Sequence, residues 1–186
     1  MPGFVVSAGA VPLMNEFPAV TVWLTGLPGS GKTTLARALM QAMRLRGQAV
    51  LLLDGDEVRS GLCRDLSFTK VDRDENVRRV AEVARLANNS GVTVLVALVS
   101  PLRTQREWAR NGIGRERFYE IHLSASLETC AMRDPKGLYA RAKAGHVPHM
   151  TGVSDPYEIP DAPRLRYDSA SESVDGAMRR VLAMLD

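Results

Sequence analysis

The chain has 186 residues, of which 45% are hydrophobic and 24% charged, so it is long enough for one domain with a full core. The formal net charge of +3 comes from dispersed basic residues, which argues against a nucleic-acid-binding surface. No apolar stretch reaches the roughly eighteen residues of a membrane span, and the two cysteines provide neither a disulfide framework nor a C-x-x-C pair. We therefore expect a globular protein of a reducing compartment, the cytoplasm.

The N-terminal segment, residues 1–18, precedes the first regular element. It is fairly apolar, but it lacks the basic start of a secretion signal, and Pro2, Pro12 and Glu16 interrupt it. We interpret it as a loose extension and residues 19–186 as a single domain.

The first strand and helix frame the most informative motif of the chain. The run Val20–Thr25 predicts a strand, and Lys32–Arg46 predicts a helix that Gly47 ends. The sequence between them fits the phosphate-loop pattern G-x-x-x-x-G-K-[ST], with Gly26, Leu27, Pro28, Gly29, Ser30, Gly31, Lys32 and Thr33. Backbone N–H groups of such a loop and the positive end of its helix surround phosphate. We expect Lys32 to reach the β- and γ-phosphates and the Thr33 hydroxyl to bind Mg²⁺.

The remaining elements alternate in type, as in a parallel sheet whose strands are joined by helices. Strands are predicted over residues 49–53, 92–99, 119–123 and 165–167. Helices are predicted over residues 56–60, 71–89, 103–110, 127–132 and 137–144, and from a capping box at 169–172 to residue 185, with a long polar loop over 147–163. This order predicts an α/β fold of the P-loop NTPase type, a single domain whose parallel sheet of about five strands has helices on both faces.

Ligands of such sheets bind at the carboxyl ends of the strands, where two aspartates follow the second strand. Asp54 and Asp56 are placed to hold Mg²⁺ through water and to accept a proton from a substrate hydroxyl; a simple Asp-Gly turn is the alternative. Arg59 and Arg64 lie outside the long helix and favour binding of a substrate anion. Arg85 is interpreted as a surface residue with acidic neighbours.

Several further positions have two interpretations. Phe68, isolated among polar residues, either stacks on a base or packs onto the helix. Ser100 ends the third strand without an adjacent base, which favours a local turn hydrogen bond over a phosphoryl-accepting role. The basic stretch 133–143 is either a lid that stabilises a transferring phosphoryl group or a solvated loop. His146 and His149 lack a third ligand and are interpreted as surface residues.

Two segments mimic motifs of GTPases, residues 69–72 and residues 134–137. Their order along the chain is reversed relative to GTPases, and the first does not follow a strand. We interpret both as chance matches.

Seven blocks in order resemble the adenylylsulfate kinase (APS kinase) family over about residues 20 to 167. They are GLPGSGKTT from Gly26, LDGDEVR from Leu53, GLCRDLSF from Gly61, DRDENVRR from Asp72, VSPLR from Val99, RDPKGLY from Arg133 and TGVSDPYE from Thr151. The resemblance implies transfer of the γ-phosphoryl group of ATP to the 3′-hydroxyl of adenosine 5′-phosphosulfate (APS), which yields ADP and the sulfate-activating nucleotide PAPS. It also implies Mg²⁺ as cofactor and a homodimer as the common assembly.

The resemblance assigns roles by position. The implied ATP site is Gly26, Leu27, Pro28, Gly29, Ser30, Gly31, Lys32, Thr33, Thr34 and Arg133, with Thr33 and Asp54 at the metal. The implied acceptor site is Asp56, Arg59, Arg64, Phe68, Asn76, Arg79, Ser100, Pro101, Leu102, Lys136, Gly137, Leu138, Met150 and Thr151. The implied catalytic residues are Lys32, Asp54, Asp56 and Ser100. Asp56 is the candidate base, and Ser100 matches a serine assigned as a phosphoenzyme intermediate, which in-line transfer does not require.

The departures from the family pattern cluster on the acceptor side. Met150 stands where the family commonly has the phenylalanine that clamps adenine opposite Phe68, and methionine stacks less specifically. Cys63 replaces an asparagine, Ser67 a glycine and Ser124 an aspartate. Two alternatives to an APS kinase therefore remain: a related kinase with another nucleotide-like hydroxyl acceptor, and a non-catalytic nucleotide-binding partner.

Overall fold

Strands and helices alternate along residues 18–186, which are the residues that the computed structural model describes. The strands are β1 (Thr21–Gly26), β2 (Val50–Asp54), β3 (Thr93–Ala97), β4 (Phe118–Leu123) and β5 (Leu165–Tyr167). The helices are α1 (Lys32–Leu45), α2 (Gly55–Ser60), α3 (Lys70–Asn89), α4 (Arg103–Ile113), α5 (Leu127–Arg133), α6 (Leu138–Lys143) and α7 (Val174–Leu182). The predicted extension lies outside the described residues, apart from Pro18.

The five strands form one parallel sheet in the order β2-β3-β1-β4-β5. Leu24 of the central strand β1 pairs with Ala97 of β3 on one side and with Ile121 of β4 on the other. The loop that follows β1 therefore emerges between the ends of β3 and β4. This arrangement confirms the predicted α/β fold and places the phosphate loop at the middle of the carboxyl edge.

Both faces of the sheet are covered, because neighbouring side chains of a strand point to opposite faces. Val22 and Leu24 of β1 belong to a core cluster with α1 and α7, which contribute residues such as Leu39 and Val181. Trp23, between them in sequence, belongs to the cluster formed with α3 and α4. The continuous apolar strands of the sequence are thus explained by burial on two sides.

The final helix begins later than predicted. Its N-cap is Ser173, whose hydroxyl accepts the Gly176 backbone N–H at 3.1 Å. The predicted capping box over residues 169–172 is wrong because the Asp168 carboxylate accepts the Ala170 N–H at 2.9 Å and forms a turn there instead.

Most other boundaries differ by one or two residues, but α4 ends at Ile113, three residues later than predicted, and α7 ends at Leu182, three residues earlier. The third strand ends at Ala97 rather than at residue 99, because pairing with both neighbouring strands stops there. The segment 147–163 contains no helix or ladder strand, as predicted, and only an isolated bridge joins Thr151 to Asp155. Every helix within residues 18–186 is too short or too polar to span a bilayer.

Candidate active site

The phosphate loop needs its glycines for steric reasons. Gly29 and Gly31 have φ angles of 79° and 96°, in the left-handed region that other residues rarely adopt. A Cβ on Gly26 would lie 2.6 Å from the Leu123 carbonyl oxygen, and one on Gly29 would lie 3.0 Å from that of Cys130. The loop is therefore packed tightly against β4 and α5.

Lys32 lies across the phosphate loop. Its ammonium group donates to the carbonyl oxygens of Gly26 at 3.0 Å and Leu27 at 2.8 Å. Burial lowers the pKa of Lys32 from 10.5 to about 8, although the Asp54 carboxylate favours the charged form. An anionic phosphate bound in the loop would stabilise the charged form of Lys32 further and so raise this pKa.

Thr33 and Asp54 form an oxygen-rich pair beside Lys32. The Thr33 hydroxyl donates to Asp54 Oδ2 at 2.6 Å, and Asp54 Oδ1 accepts the Asp56 backbone N–H at 3.0 Å. Hydroxyl and carboxylate oxygens are the ligands that Mg²⁺ prefers, and it commonly completes its shell with phosphate and water. The Thr33–Asp54 pair could supply two such oxygen ligands. Residues 18–186 contain no cluster of three or more His, Cys, Asp or Glu side chains suited to a metal.

The segment before α6 reaches across to α2. Lys136 Nζ donates to the exposed Asp56 carboxylate, so the predicted lid contacts the candidate base directly. Arg133 lies at the other side of the phosphate loop and donates to Ser169 Oγ at 2.7 Å, while Ser169 Oγ donates to Ser30 O at 2.9 Å. The turn after β5 is thereby fixed against the loop.

Phe68 is 54% exposed, and one of its faces is covered by a cation. The Arg59 guanidinium lies 4.2 Å from the ring centroid and donates to Ser67 O at 2.8 Å. The Arg73 guanidinium lies 5.6 Å from the same centroid, so a base that stacks on this ring would meet a ring with two cations beside it.

Arg79 is already paired within the chain. It donates to both Asp65 oxygens at 2.6 and 2.8 Å and to Glu75 at 2.9 Å, which raises its pKa further above the usual range. Asn76 is buried, and its Oδ1 has no hydrogen-bond partner among the described residues. Arg64 is exposed. The structure thus holds Arg79 in an ion-pair network.

Ser100 has a strained backbone and a buried hydroxyl. Its φ angle is 37°, the side chain is 3% exposed, and Oγ accepts the indole N–H of Trp23 at 3.0 Å. The expected local turn hydrogen bond is wrong, because the partner lies on β1, 77 residues away. Pro101 and Leu102 follow in the turn to α4, where Pro101 O accepts the Glu158 N–H at 2.9 Å.

Met150 and Thr151 begin the segment that faces the phosphate loop. Met150 is buried in a cluster with Cys130 and Tyr139, and Gly137 and Leu138 start the helix that carries Tyr139. That burial leaves the adenine-clamp role of Met150 a prediction.

Sequence reasoning missed Arg73. It donates to Phe68 O at 2.9 Å, to Thr151 Oγ1 at 3.0 Å and to His149 O. It therefore joins the start of α3 to the 149–155 segment, and its position inside the DRDENVRR block was the available signal.

Sequence reasoning also missed a buried group behind the strand ends. Thr25 Oγ1 lies 3.0 Å from Tyr157 OH, and His122 stacks on the Tyr157 ring. Arg106 pairs there with Glu120, and a glutamate in the middle of an apolar strand was the signal. His146 and His149 are exposed, as predicted.

The chain is similar to known adenylylsulphate kinases. The family model described as adenylylsulphate kinase matches residues 18–168. The adenylyl-sulfate kinase of Prochlorococcus marinus is 48% identical over 167 residues, which are 90% of this chain and 83% of that protein. The family model thus covers the phosphate loop and the site segments up to residue 168.

Solved structures agree in fold. The APS kinase of Mycobacterium tuberculosis, solved in complex with AMPPNP and APS, superposes with a TM-score of 0.87 and 40% identity, over 90% of this chain and 98% of that one. A hexameric APS kinase from Thiobacillus denitrificans gives a TM-score of 0.66 and 34% identity, over 91% of this chain and 29% of that one.

Proposed function

This chain belongs to the adenylylsulphate kinase family, and from that premise we propose that it transfers the γ-phosphoryl group of ATP to the 3′-hydroxyl of APS, giving PAPS and ADP. The observation that carries the proposal is the donor constellation: Lys32 across the phosphate loop, with Thr33 and Asp54 2.6 Å apart beside it. The reaction activates sulfate.

On the donor side, the backbone from Gly26 to Thr34 surrounds the phosphates of ATP, and Arg133 lies beside the loop. Lys32 contacts the β- and γ-phosphates. Its positive charge stabilises the anionic oxygens of the transition state. Thr33 and Asp54 hold Mg²⁺, which, when bound, neutralises charge on the β- and γ-phosphate oxygens.

On the acceptor side, Asp56 is the candidate base. It accepts the 3′-hydroxyl proton as the new O–P bond forms and the bond from the γ-phosphorus to ADP breaks. Lys136 must release Asp56 for this, so lid movement precedes transfer. Direct in-line transfer to the 3′-hydroxyl requires no phosphoenzyme, so the role proposed for Ser100 is its position in the turn.

The remaining acceptor contacts are assigned by the family positions. Phe68 stacks on the adenine of APS, and Arg59, Arg64, Asn76 and Arg79 bind its phosphosulfate. The lid and strand-end contacts are Ser100, Pro101, Leu102, Gly137, Leu138, Met150 and Thr151. We place the kinase domain at residues 19–186. We expect a cytoplasmic homodimer, and sedimentation equilibrium would measure the mass of the assembly.

A coupled ADP-release assay with ATP, Mg²⁺ and APS tests the function, with the nucleotide product identified by mass. We expect PAPS at about 1–100 turnovers per second, and no ADP release without APS. ATP binding without APS turnover would overturn the proposal in favour of another 5′-substituted nucleotide acceptor. Met150 and Cys63, which replace family residues on that side, are the observations that favour this second candidate.

A further inference from the structure

A buried arginine lies directly behind the acceptor side of the cleft. Arg106 of α4 is 2% exposed, and all three nitrogens of its guanidinium donate. Nε donates to Glu120 Oε1 at 2.8 Å, one terminal nitrogen to Ser100 O at 2.7 Å, and the other to Glu158 O at 2.7 Å. The planar fork of arginine suits three acceptors in fixed directions, whereas lysine offers one point charge.

The three acceptors belong to segments that are far apart in sequence. Glu120 lies on β4, Ser100 lies in the turn after β3, and Glu158 is the last residue of the block that begins at Thr151. Further contacts strengthen this junction: Glu158 N donates to Pro101 O at 2.9 Å, and Arg103 N donates to the Glu158 carboxylate at 2.7 Å. Arg106 therefore couples the end of this segment to the strand edge.

The opposite end of the same segment is held by a second arginine. Arg73 donates to Thr151 Oγ1 and His149 O and lies 3.7 Å from the Asp155 carboxylate. Residues 149–158, called the acceptor segment below, are thus fixed at both ends by guanidinium groups. Val153 between them is exposed.

Ion pairing with Glu120 alone would not explain this geometry. Arg110 also binds that carboxylate, at Oε2 and 2.7 Å, yet it contacts neither Ser100 nor Glu158. A buried ion pair is often replaceable by apolar side chains without loss of stability. The two carbonyl contacts are what distinguish Arg106 from its neighbour.

We propose that Arg106 is a positioning residue for the acceptor nucleotide: it sets the acceptor segment and the strained Ser100 turn at the distance that APS requires. The inference rests on the proposed function, because it concerns the same cleft. It leaves the phosphate loop untouched, since Arg106 contacts no residue of that loop through its guanidinium.

Two variants test the proposal by steady-state kinetics. Arg106→Lys retains the charge but loses the fork. Arg106→Met with Glu120→Gln removes both buried charges together and still leaves Arg110 an oxygen acceptor at position 120. In both we expect the KM for APS to rise about tenfold or more, while the KM for ATP changes less than about twofold. Arg110→Met is the matched control, and it should lower the melting temperature without raising the KM for APS.

A folded variant of Arg106 whose KM for APS stays within about twofold of the parent would overturn the proposal. Hydrogen exchange on the parent protein keeps the proposal falsifiable even if both variants unfold. The Glu158 amide, which donates to Pro101 O, should be protected before APS is added, and rapid exchange there would refute a segment that is fixed in advance. Failure of the proposed function is distinguishable, because the parent protein itself would then form no PAPS.

Discussion

The donor and acceptor sides of the cleft are built in different ways. On the donor side, Lys32 binds carbonyl oxygens five and six residues before it, and the glycines of one contiguous loop shape the site. On the acceptor side, Arg73 and Arg106 bind groups 78 and 52 residues away. The phosphate-binding loop of the donor side is thus formed by one short stretch of sequence, whereas the acceptor side depends on how distant segments pack.

The largest effect that this comparison predicts is at Lys32. Lys32→Ala removes the only loop charge directed at the transferring group, so we expect kcat to fall about 10²–10³-fold with the fold intact. The ADP-release assay with APS measures it. APS turnover at the parental rate would show that the donor site is assigned wrongly.

Asp56 is the acceptor-side counterpart. Asp56→Asn keeps the shape but cannot accept a proton, and we expect about a 10²-fold loss of kcat. The exposed contact with Lys136 contributes little to stability, so the melting temperature should not change. Glu57→Gln, on the adjacent exposed carboxylate, is the control; equal losses in both would remove the base assignment.

Substitutions of Ser100 test whether its hydroxyl stabilises the fold. Ser100→Ala leaves the buried Trp23 N–H without its acceptor, at a cost of about 1–3 kcal/mol in the free energy of unfolding. Ser100→Gly loses the same hydroxyl but relieves the φ angle of 37°, so it should be the more stable of the two by about 1 kcal/mol. Urea unfolding measures both. A Ser100→Gly variant that is no more stable than Ser100→Ala would contradict the backbone strain at this position.

The lowered pKa of Lys32 predicts a pH dependence. Above about pH 8 the ligand-free ammonium loses its proton, so affinity for AMPPNP should fall as pH rises, by up to about tenfold per unit. Lys32→Arg stays charged and should show no such fall. In the ligand-free protein the free energy of unfolding should rise between pH 8 and 10.5, because there the unfolded chain binds the additional proton.

The smallest expected effect is at Met150. Met150→Phe restores the clamp residue of the family, and we expect the KM for APS to fall about three- to tenfold. Met150→Leu is the control for size without aromaticity. An unchanged or higher KM would show that the side chain stays in its cluster with Cys130 and Tyr139.

Much of the fold could be predicted, because the strands are continuous apolar runs and the phosphate loop marks β1 and α1. The end of β3 could not, since Leu98 and Val99 are as apolar as the residues before them and only pairing stops the strand. The start of the last helix could not be predicted either, because the Asp168 carboxylate accepts the Ala170 N–H and forms a turn before the helix.

The site divides in the same way. Lys32, Thr33 and Asp54 were predicted together, and they lie together. Arg73 and Arg106 were missed, because composition does not reveal whether an arginine faces water or distant carbonyl oxygens. For Arg79, the glutamate four residues earlier was a visible sign of the ion pair that the structure contains.

The indole of Trp23, which donates to Ser100, is an intrinsic fluorescence probe of the turn that contains Ser100. The chain has two tryptophans: Trp23 is fully buried on the central strand β1, and Trp108 is 43% exposed on α4. Indole emission shifts to shorter wavelength in apolar surroundings, so the two signals separate. The Trp23 N–H donates to Ser100, which the proposal assigns to the acceptor site, so we expect Trp23 emission to change when APS binds. The order in which the substrates bind could then be followed without an added dye.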